Sequence, residues 1–226
     1  MKRLQTILSM LPDGCRLADV GCDHAYIPIE AIKSGKASFA YASDIRRGPL
    51  QRAKKNLEAA GLSDRAVLRL ADGLDGAEGF DPDTVVIAGM GGELIARIIN
   101  DAEFVKTGRV TLILQPMTSA AELRSYLLDS GFSIVEERLA AEDRHVYQIL
   151  RCMYGGEKQT YSQAELQIGK GHTDTDLLPR LYEKFIGKYE RIIRGKTASG
   201  LDAGGESEIL RELKEKYENY RALRKD

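Results

Sequence analysis

The stretch ADVGCDHAYIPI, residues 18–29, decides how the rest of the chain is read. Its apolar run ends at Val20, a glycine follows, and an apolar segment with Pro28 in its first turn resumes after Ala25. That is the grammar of a buried strand, a tight turn and a helix, since proline at a helix start forfeits an N–H that has no partner anyway. Turns of this kind bind nucleotides. A turn built for pyrophosphate needs a second glycine for close backbone approach and a third for helix packing. Here only Gly21 is present, and Asp23 and His24 stand where later glycines are expected. A carboxylate repels phosphate, so the topology suits a nucleotide while the charge excludes a dinucleotide.

Outward from this turn, apolar strand-like runs alternate with helical patterns. Strands are expected at 16–21, 39–45, 66–72, 84–90, 110–116, 132–139 and 145–152, and helices at 27–34, 47–60, 92–100 and 118–129. The early runs are continuously apolar, as in strands covered on both faces. The expected fold is therefore α/β: a doubly wound, mostly parallel, seven-stranded Rossmann-like sheet. The last two runs have no helix between them and should pair antiparallel at one edge. Leu4, Ile7, Leu8 and Leu11 give a short amphipathic helix at the N-terminus.

Near Tyr154 the character changes. GGEKQTYSQAE (155–165) reads as a linker, which divides the chain into a first domain at 1–160 and a tail at 161–226. In the tail, Leu178, Leu181, Phe185, Tyr189 and Ile192 step by three and four residues, as do Leu210, Leu213, Tyr217 and Tyr220. Such narrow seams predict a helical hairpin or short coiled coil, paired either within or between chains.

With 43% hydrophobic residues, the 226-residue chain can bury a real core. A net charge of −1 does not announce a nucleic-acid partner, so one has to be argued from local charge. Three scattered cysteines without a CxxC spacing fit a reducing compartment and no disulfide scaffold. No run reads as a signal peptide or a membrane span, and the expected location is cytoplasmic.

S-adenosylmethionine (SAM) resolves the conflict of charge in the turn. It has adenine and ribose, lacks phosphate, and carries a cationic ammonium and sulfonium, which carboxylates attract. Asp19 at the end of the first strand can take the ammonium, and Gly21 lets the turn close beneath the methionine part. Asp44, 23 residues past Gly21 at the end of the second strand, stands where an acid binds ribose hydroxyls. Asp72, at the end of the third, can accept from the adenine amino group. A lone Asp at a strand end is ordinarily a cap; the joint spacing favours a site. A metal is not expected, because Cys22, Asp23 and His24 are adjacent and no second ligand cluster accompanies them.

Together DVGCDHAYIPI, ASDI, ADGL, IAGMGGELI and LILQP resemble the bacterial tRNA (adenine-22-N1)-methyltransferase family, over essentially the whole chain. The resemblance implies a class I SAM-dependent methyltransferase domain with a C-terminal coiled coil, and a tRNA substrate. It implies a SAM site on Asp19, Gly21, Asp23, Asp44, Asp72 and the end of the fourth strand at Gly89 and Met90, with Cys22, Ile45 and Gly73 flanking. RHVYQIL (144–150) departs from the family, which is richer in lysine and phenylalanine there.

The fourth strand ends in Gly89, Met90, Gly91 and Gly92. It lacks the Asn/Asp-Pro-Pro-aromatic motif that grips an exocyclic amine, which favours a ring nitrogen as acceptor. The glycines either admit a flat base or simply open the next helix. Adenine N1 has an in-plane lone pair and no proton, so alignment and a negative field matter more than a general base. Asp23, His24 and Gln115 are the candidates for the reaction centre, with Tyr26 and Tyr41 as surfaces for an exposed base. Arg46 and Arg47 at the crevice, Lys2 and Arg3 flanking it, and Lys184 and Lys188 on the tail are candidates for RNA; the tail charges are alternatively a solvated surface. A small-molecule methylase, and a non-catalytic SAM-binding scaffold, are the competing functions. Monomer or weak homo-oligomer is the expected state.

Overall fold

A computed structural model describes residues 2–173 and 176–224. Seven strands, β1 (Cys15–Val20), β2 (Ala37–Asp44), β3 (Ala66–Leu70), β4 (Thr84–Gly91), β5 (Thr111–Thr118), β6 (Phe132–Glu142) and β7 (His145–Tyr154), form one sheet in the order β3-β2-β1-β4-β5-β7-β6. Pairing is parallel from β3 to β5. β7 joins β5 antiparallel and β6 forms the edge, as expected for two strands joined by a tight turn.

Alternation along the strands explains why both faces are covered. Val85 and Ile87 of β4 pack with α4 (Gly92–Asn100) and α5 (Ala120–Asp129), while Val86 packs on the other face with α1 (Lys2–Met10), α2 (Tyr26–Lys33) and α3 (Arg47–Ala59). Leu112 and Leu114 against Ile113 repeat the pattern one strand over. Strand order reverses direction between β1 and β4, where an open α/β sheet leaves its binding crevice.

Three details differ from the sequence reading. β3 stops at Leu70, so Asp72 lies in the following turn. β5 runs on to Thr118, so the helix expected at 118 begins at Ala120. The supposed linker contains the start of α6 (Gln163–Ile168), opened by a capping box in which Ser162 Oγ accepts from the Glu165 N–H and Glu165 accepts from the Ser162 N–H.

The tail packs on the sheet domain. α7 (Leu178–Ala198) and α8 (Gly204–Leu223) close their seam within the chain: Leu213 is fully buried and Tyr182 stacks on Tyr217 with ring centroids 5.0 Å apart. The same core takes in Leu139 of β6 and Val146 of β7. Beneath α6 lies a buried ionic junction. Arg124 of α5 donates through Nε to Glu137 at 2.7 Å, through Nη1 to the Leu166 carbonyl at 2.8 Å and through Nη2 to Gln148 at 2.8 Å. The second oxygen of Glu137 accepts the main-chain N–H groups of Lys170 and Gly171. Burial alone pushes the Glu137 carboxyl up, but Arg124, His172 and these hydrogen bonds outweigh it and hold the group below its ordinary range.

This junction predicts a stability effect. Glu137→Leu leaves Arg124 buried without its counter-charge, and urea unfolding of the full chain should show a loss of about 3–5 kcal/mol. A loss below about 1 kcal/mol would show that the junction is not what ties the tail to the sheet.

Candidate active site

The crevice is a cavity of about 730 Å³ at the carboxyl ends of the strands. Its floor is β1 and β2. Asp19 is 3% exposed and Asp44 5% exposed. Asp44 Oδ1 accepts the Arg46 N–H at 2.9 Å, which leaves Oδ2 for a ligand. The Gly21 and Cys22 N–H groups both donate to the Ser43 carbonyl, and Ser43 Oγ donates to the Gly73 carbonyl, so the three strand-end turns are laced together. Gly21 has φ +72°, a left-handed backbone that favours glycine, and a Cβ there would press on the flexible end of the Met90 side chain.

The acids are not equivalent. Burial, and then the neighbouring Asp44 charge, push the Asp19 carboxyl from its ordinary 3.8 up to about 7. A cation delivered to this pocket offsets the repulsion from Asp44 and stabilises the ionised form against the burial that disfavours it. Burial also raises the Cys22 thiol far above its ordinary range, so it is a neutral wall group and no nucleophile. Among the described residues no cluster of His, Cys, Asp and Glu is arranged to hold a metal ion.

The turn carries two non-glycine residues in left-handed conformation, Asp23 at φ 42° and Ala25 at φ 58°. Such strain gathers at ligand-binding turns. It is held by Ala25, which is fully buried, and by Asn56 of α3, which donates to the His24 carbonyl at 2.9 Å. The His24 ring lies over Tyr26, centroids 5.3 Å apart, and Tyr26 is half exposed at the cavity mouth. Asp23 faces Arg52 at 3.3 Å.

The cavity wall includes Asp19, Gly21, Cys22, Asp23, His24, Tyr26, Asp44, Ile45, Arg46, Asp72, Gly73, Gly89 and Met90, so the sequence-derived residues of the turn and strand ends converge there. Others do not reach it. Gln115 is fully buried behind the wall: its amide oxygen accepts from Arg3 at 2.8 Å and from the Gly89 N–H at 3.2 Å, and its amide nitrogen donates to the Pro116 carbonyl. It braces the cavity wall from behind. Tyr41 is buried on the sheet's other face, its hydroxyl spent on the Asp75 carbonyl at 2.6 Å. Arg47 is exposed outside the cavity, and Lys184 and Lys188 lie on α7 over the Phe185 ring. Desolvation and mutual repulsion lower the Lys184 ammonium. Asp72 is gripped by Arg97, with Nη2 3.0 Å from Oδ1. Sequence reasoning missed Arg97, Leu94 and Met117 as wall residues; their apolar or helical context gives no local sign of a ligand.

The chain matches the model of the methyltransferase domain over residues 1–150. It is 38% identical to the tRNA (adenine(22)-N(1))-methyltransferase of Bacillus subtilis over 168 residues, 74% of this chain and 71% of that one. The chain belongs to this methyltransferase family. Among solved structures, a candidate tRNA (m1A22) methyltransferase of Streptococcus pneumoniae in complex with SAM superposes with a TM-score of 0.82 at 34% identity, covering 95% of this chain and 98% of that one. The crystal structure of the B. subtilis m1A22 tRNA methyltransferase gives 0.77 at 31% identity, with 96% and 95% covered. The family match supports what the strand-end acids imply, and the cavity tests it: buried acids for a cation, a free carboxylate oxygen for a diol and no phosphate nest are together a fit to SAM.

An acid raised in the folded state adds stability below its unfolded value, near 3.8, and withdraws it as pH rises through about 7. Ligand-free protein should therefore gain from Asp19→Asn at pH 8, by about 2–4 kcal/mol in urea unfolding, while its SAM affinity falls. An unchanged or lower stability would remove the strain of the buried Asp19 charge, from burial first and Asp44 second, from the account.

Proposed function

We propose that this protein methylates N1 of an adenine in tRNA, position 22 by its family, using SAM. The observation that carries the reading is the pair of buried carboxylates, Asp19 and Asp44, at the floor of an acid-lined, phosphate-averse cavity. Asp19 receives the ligand's ammonium, Asp44 its ribose hydroxyls, and Ile45 and Gly73 flank the adenine, whose amino group Asp72 accepts.

When bound, SAM supplies a methyl group on a cationic sulfur. The chain's part is to align an acceptor with it and exclude water. Met90 and the Gly21 turn form the floor at that point, with Gly91 and Gly92 allowing α4 to start close to β5. No side chain has to remove a proton, because adenine N1 carries none. The product ring is cationic, and the field of Asp19, Asp23 and Asp44 favours charge developing there. The Tyr26–His24 stack at the mouth offers a face to a base withdrawn from its own stack.

RNA contact falls to Arg46 and Arg47 at the rim and to Lys184 and Lys188 on the hairpin, four residues apart and close enough to repel each other. The hairpin seam is satisfied within the chain, which supports a monomer. Among the described residues no helix is long and apolar enough to cross a membrane, and we place the protein in the cytoplasm with its RNA.

Incubation of unmodified tRNA with protein and SAM, followed by nucleoside chromatography and mass spectrometry, should give 1-methyladenosine at one position. A dominant N6-methyladenosine product would overturn the mechanism; SAM binding without any RNA product would favour the scaffold reading.

A further inference from the structure

The turn between β6 and β7 has no part in the site described so far. Its two central residues are Asp143 and Arg144, and Asp143 takes a left-handed φ of 52° that lets β7 return directly. The period of two then sorts β7 between two neighbours. Val146 is buried against the tail, while His145 and Tyr147 point to the other face, where α1 begins. β7 runs antiparallel to β5, so this turn stands at the same end of the sheet as the crevice.

Three groups there form a ladder. The His145 ring stacks on Tyr147 with centroids 6.1 Å apart, and the Arg3 guanidinium lies 5.3 Å from the Tyr147 centroid. Arg3 belongs to the cavity wall, and its Nη1 is 3.8 Å from Sδ of Met117, a half-exposed wall residue. The ladder therefore runs from the turn to the mouth of the cavity. Tyr147 is half-buried, whereas His145 is exposed and forms the outer rung. Charge surrounds it. Lys2 at the start of α1, Arg144 on the turn and Arg180 in the first turn of α7 are all exposed. Arg180 is brought to the turn by a hydrogen bond from Nη2 to the Asp143 carbonyl at 3.3 Å. None of these three cations has a carboxylate partner among the described residues. Of the two acids at the turn, Glu142 accepts the Arg3 main-chain N–H at 3.1 Å, and Asp143 is exposed.

Stacked rings bordered by such cations fit a nucleic-acid strand: a π-face takes a base whatever its sequence, and the cations take phosphates. An acidic protein surface would use the cations and leave the rings idle. The direction of the ladder selects the segment of RNA. Methylation at N1 needs the target adenine out of its own stack, and withdrawing it leaves its neighbour without a stacking partner. A neighbour that settles on His145 recovers part of that cost beside the cavity that takes the adenine. We propose that the β6–β7 turn docks the RNA strand adjoining the target adenine, with a flanking base stacked on His145 and flanking phosphates on Lys2, Arg144 and Arg180. The proposal rests on the tRNA-methylating reading and adds a surface to it.

Affinity for unmodified tRNA, measured by fluorescence anisotropy over a range of salt, tests both parts. Arg144→Gln combined with Arg180→Gln should weaken binding about 10- to 100-fold and flatten the slope of log K against log [salt] by roughly 1.5, as two phosphate contacts are lost. His145→Ala should weaken binding about 5- to 50-fold with the slope unchanged, and His145→Phe, which keeps a π-face, should restore it. SAM affinity by calorimetry should stay at the wild-type value in every variant, since none of these residues lines the cavity. Wild-type tRNA affinity in both the double variant and His145→Ala would overturn the proposal. Loss in the double variant with His145→Ala unaffected would overturn the stacked flanking base and leave a bare phosphate contact. Failure of the wild-type protein to bind or methylate any tRNA would instead overturn the reading of function on which the proposal rests.

Discussion

Two carboxylates that repel each other, buried side by side at the ends of adjacent parallel strands, are the constraint on which this site depends. Parallel register places Asp19 opposite Ala42 and leaves Asp44 two positions further along β2, both facing the crevice. In water each would ionise freely. Here burial and the Asp44 charge raise Asp19 to about 7, so the empty protein stores electrostatic tension in its binding floor. A cationic ligand releases it. Affinity and selectivity against phosphate then follow from one arrangement: the field that attracts an ammonium and sulfonium rejects a pyrophosphate.

The rest of the fold serves to keep that floor rigid. Ser43 bridges the first turn to the third through its carbonyl and hydroxyl, and Gln115 ties β5 to Gly89 and to α1 through Arg3. The sheet is apolar on both faces, so the polar groups that matter are confined to strand ends, where turns can differ without disturbing the core. At the far edge the Arg124–Glu137–Gln148 junction fixes α6 and, through the shared apolar core, the helical hairpin. A tail seated this firmly on the sheet keeps a defined orientation relative to the crevice.

Much of this was legible in the chain because two periodicities are strong. Continuous apolar runs such as TVVIAGM mark buried strands, and the three- and four-residue steps of Leu178 to Ile192 mark α7. Strand-end acids were legible because their spacing follows from the fold. What escaped was long-range geometry. Nothing local to Gln115 says that its amide is spent on Arg3, 112 positions away, or that Tyr41 faces the Asp75 carbonyl and not the crevice. The Ser162 capping box was visible in the polar stretch TYSQAE (160–165) only as a linker, since a six-residue helix carries too little periodicity to announce itself. Arg97 reads as an ordinary exposed helix residue until the fold brings Asp72 against it.

The central claim is that the ligand's cation replaces a proton on the buried acid pair. Calorimetric titration of SAM at pH 6, in two buffers of different ionisation enthalpy, measures the protons exchanged on binding. With Asp19 near 7 in the empty protein, the account predicts release of close to one proton per SAM bound, vanishing above about pH 8 and absent in Asp19→Asn. Binding at pH 6 with no proton release would contradict it, because Asp19 would then already be ionised and the acid pair would hold no tension for the ligand to relieve.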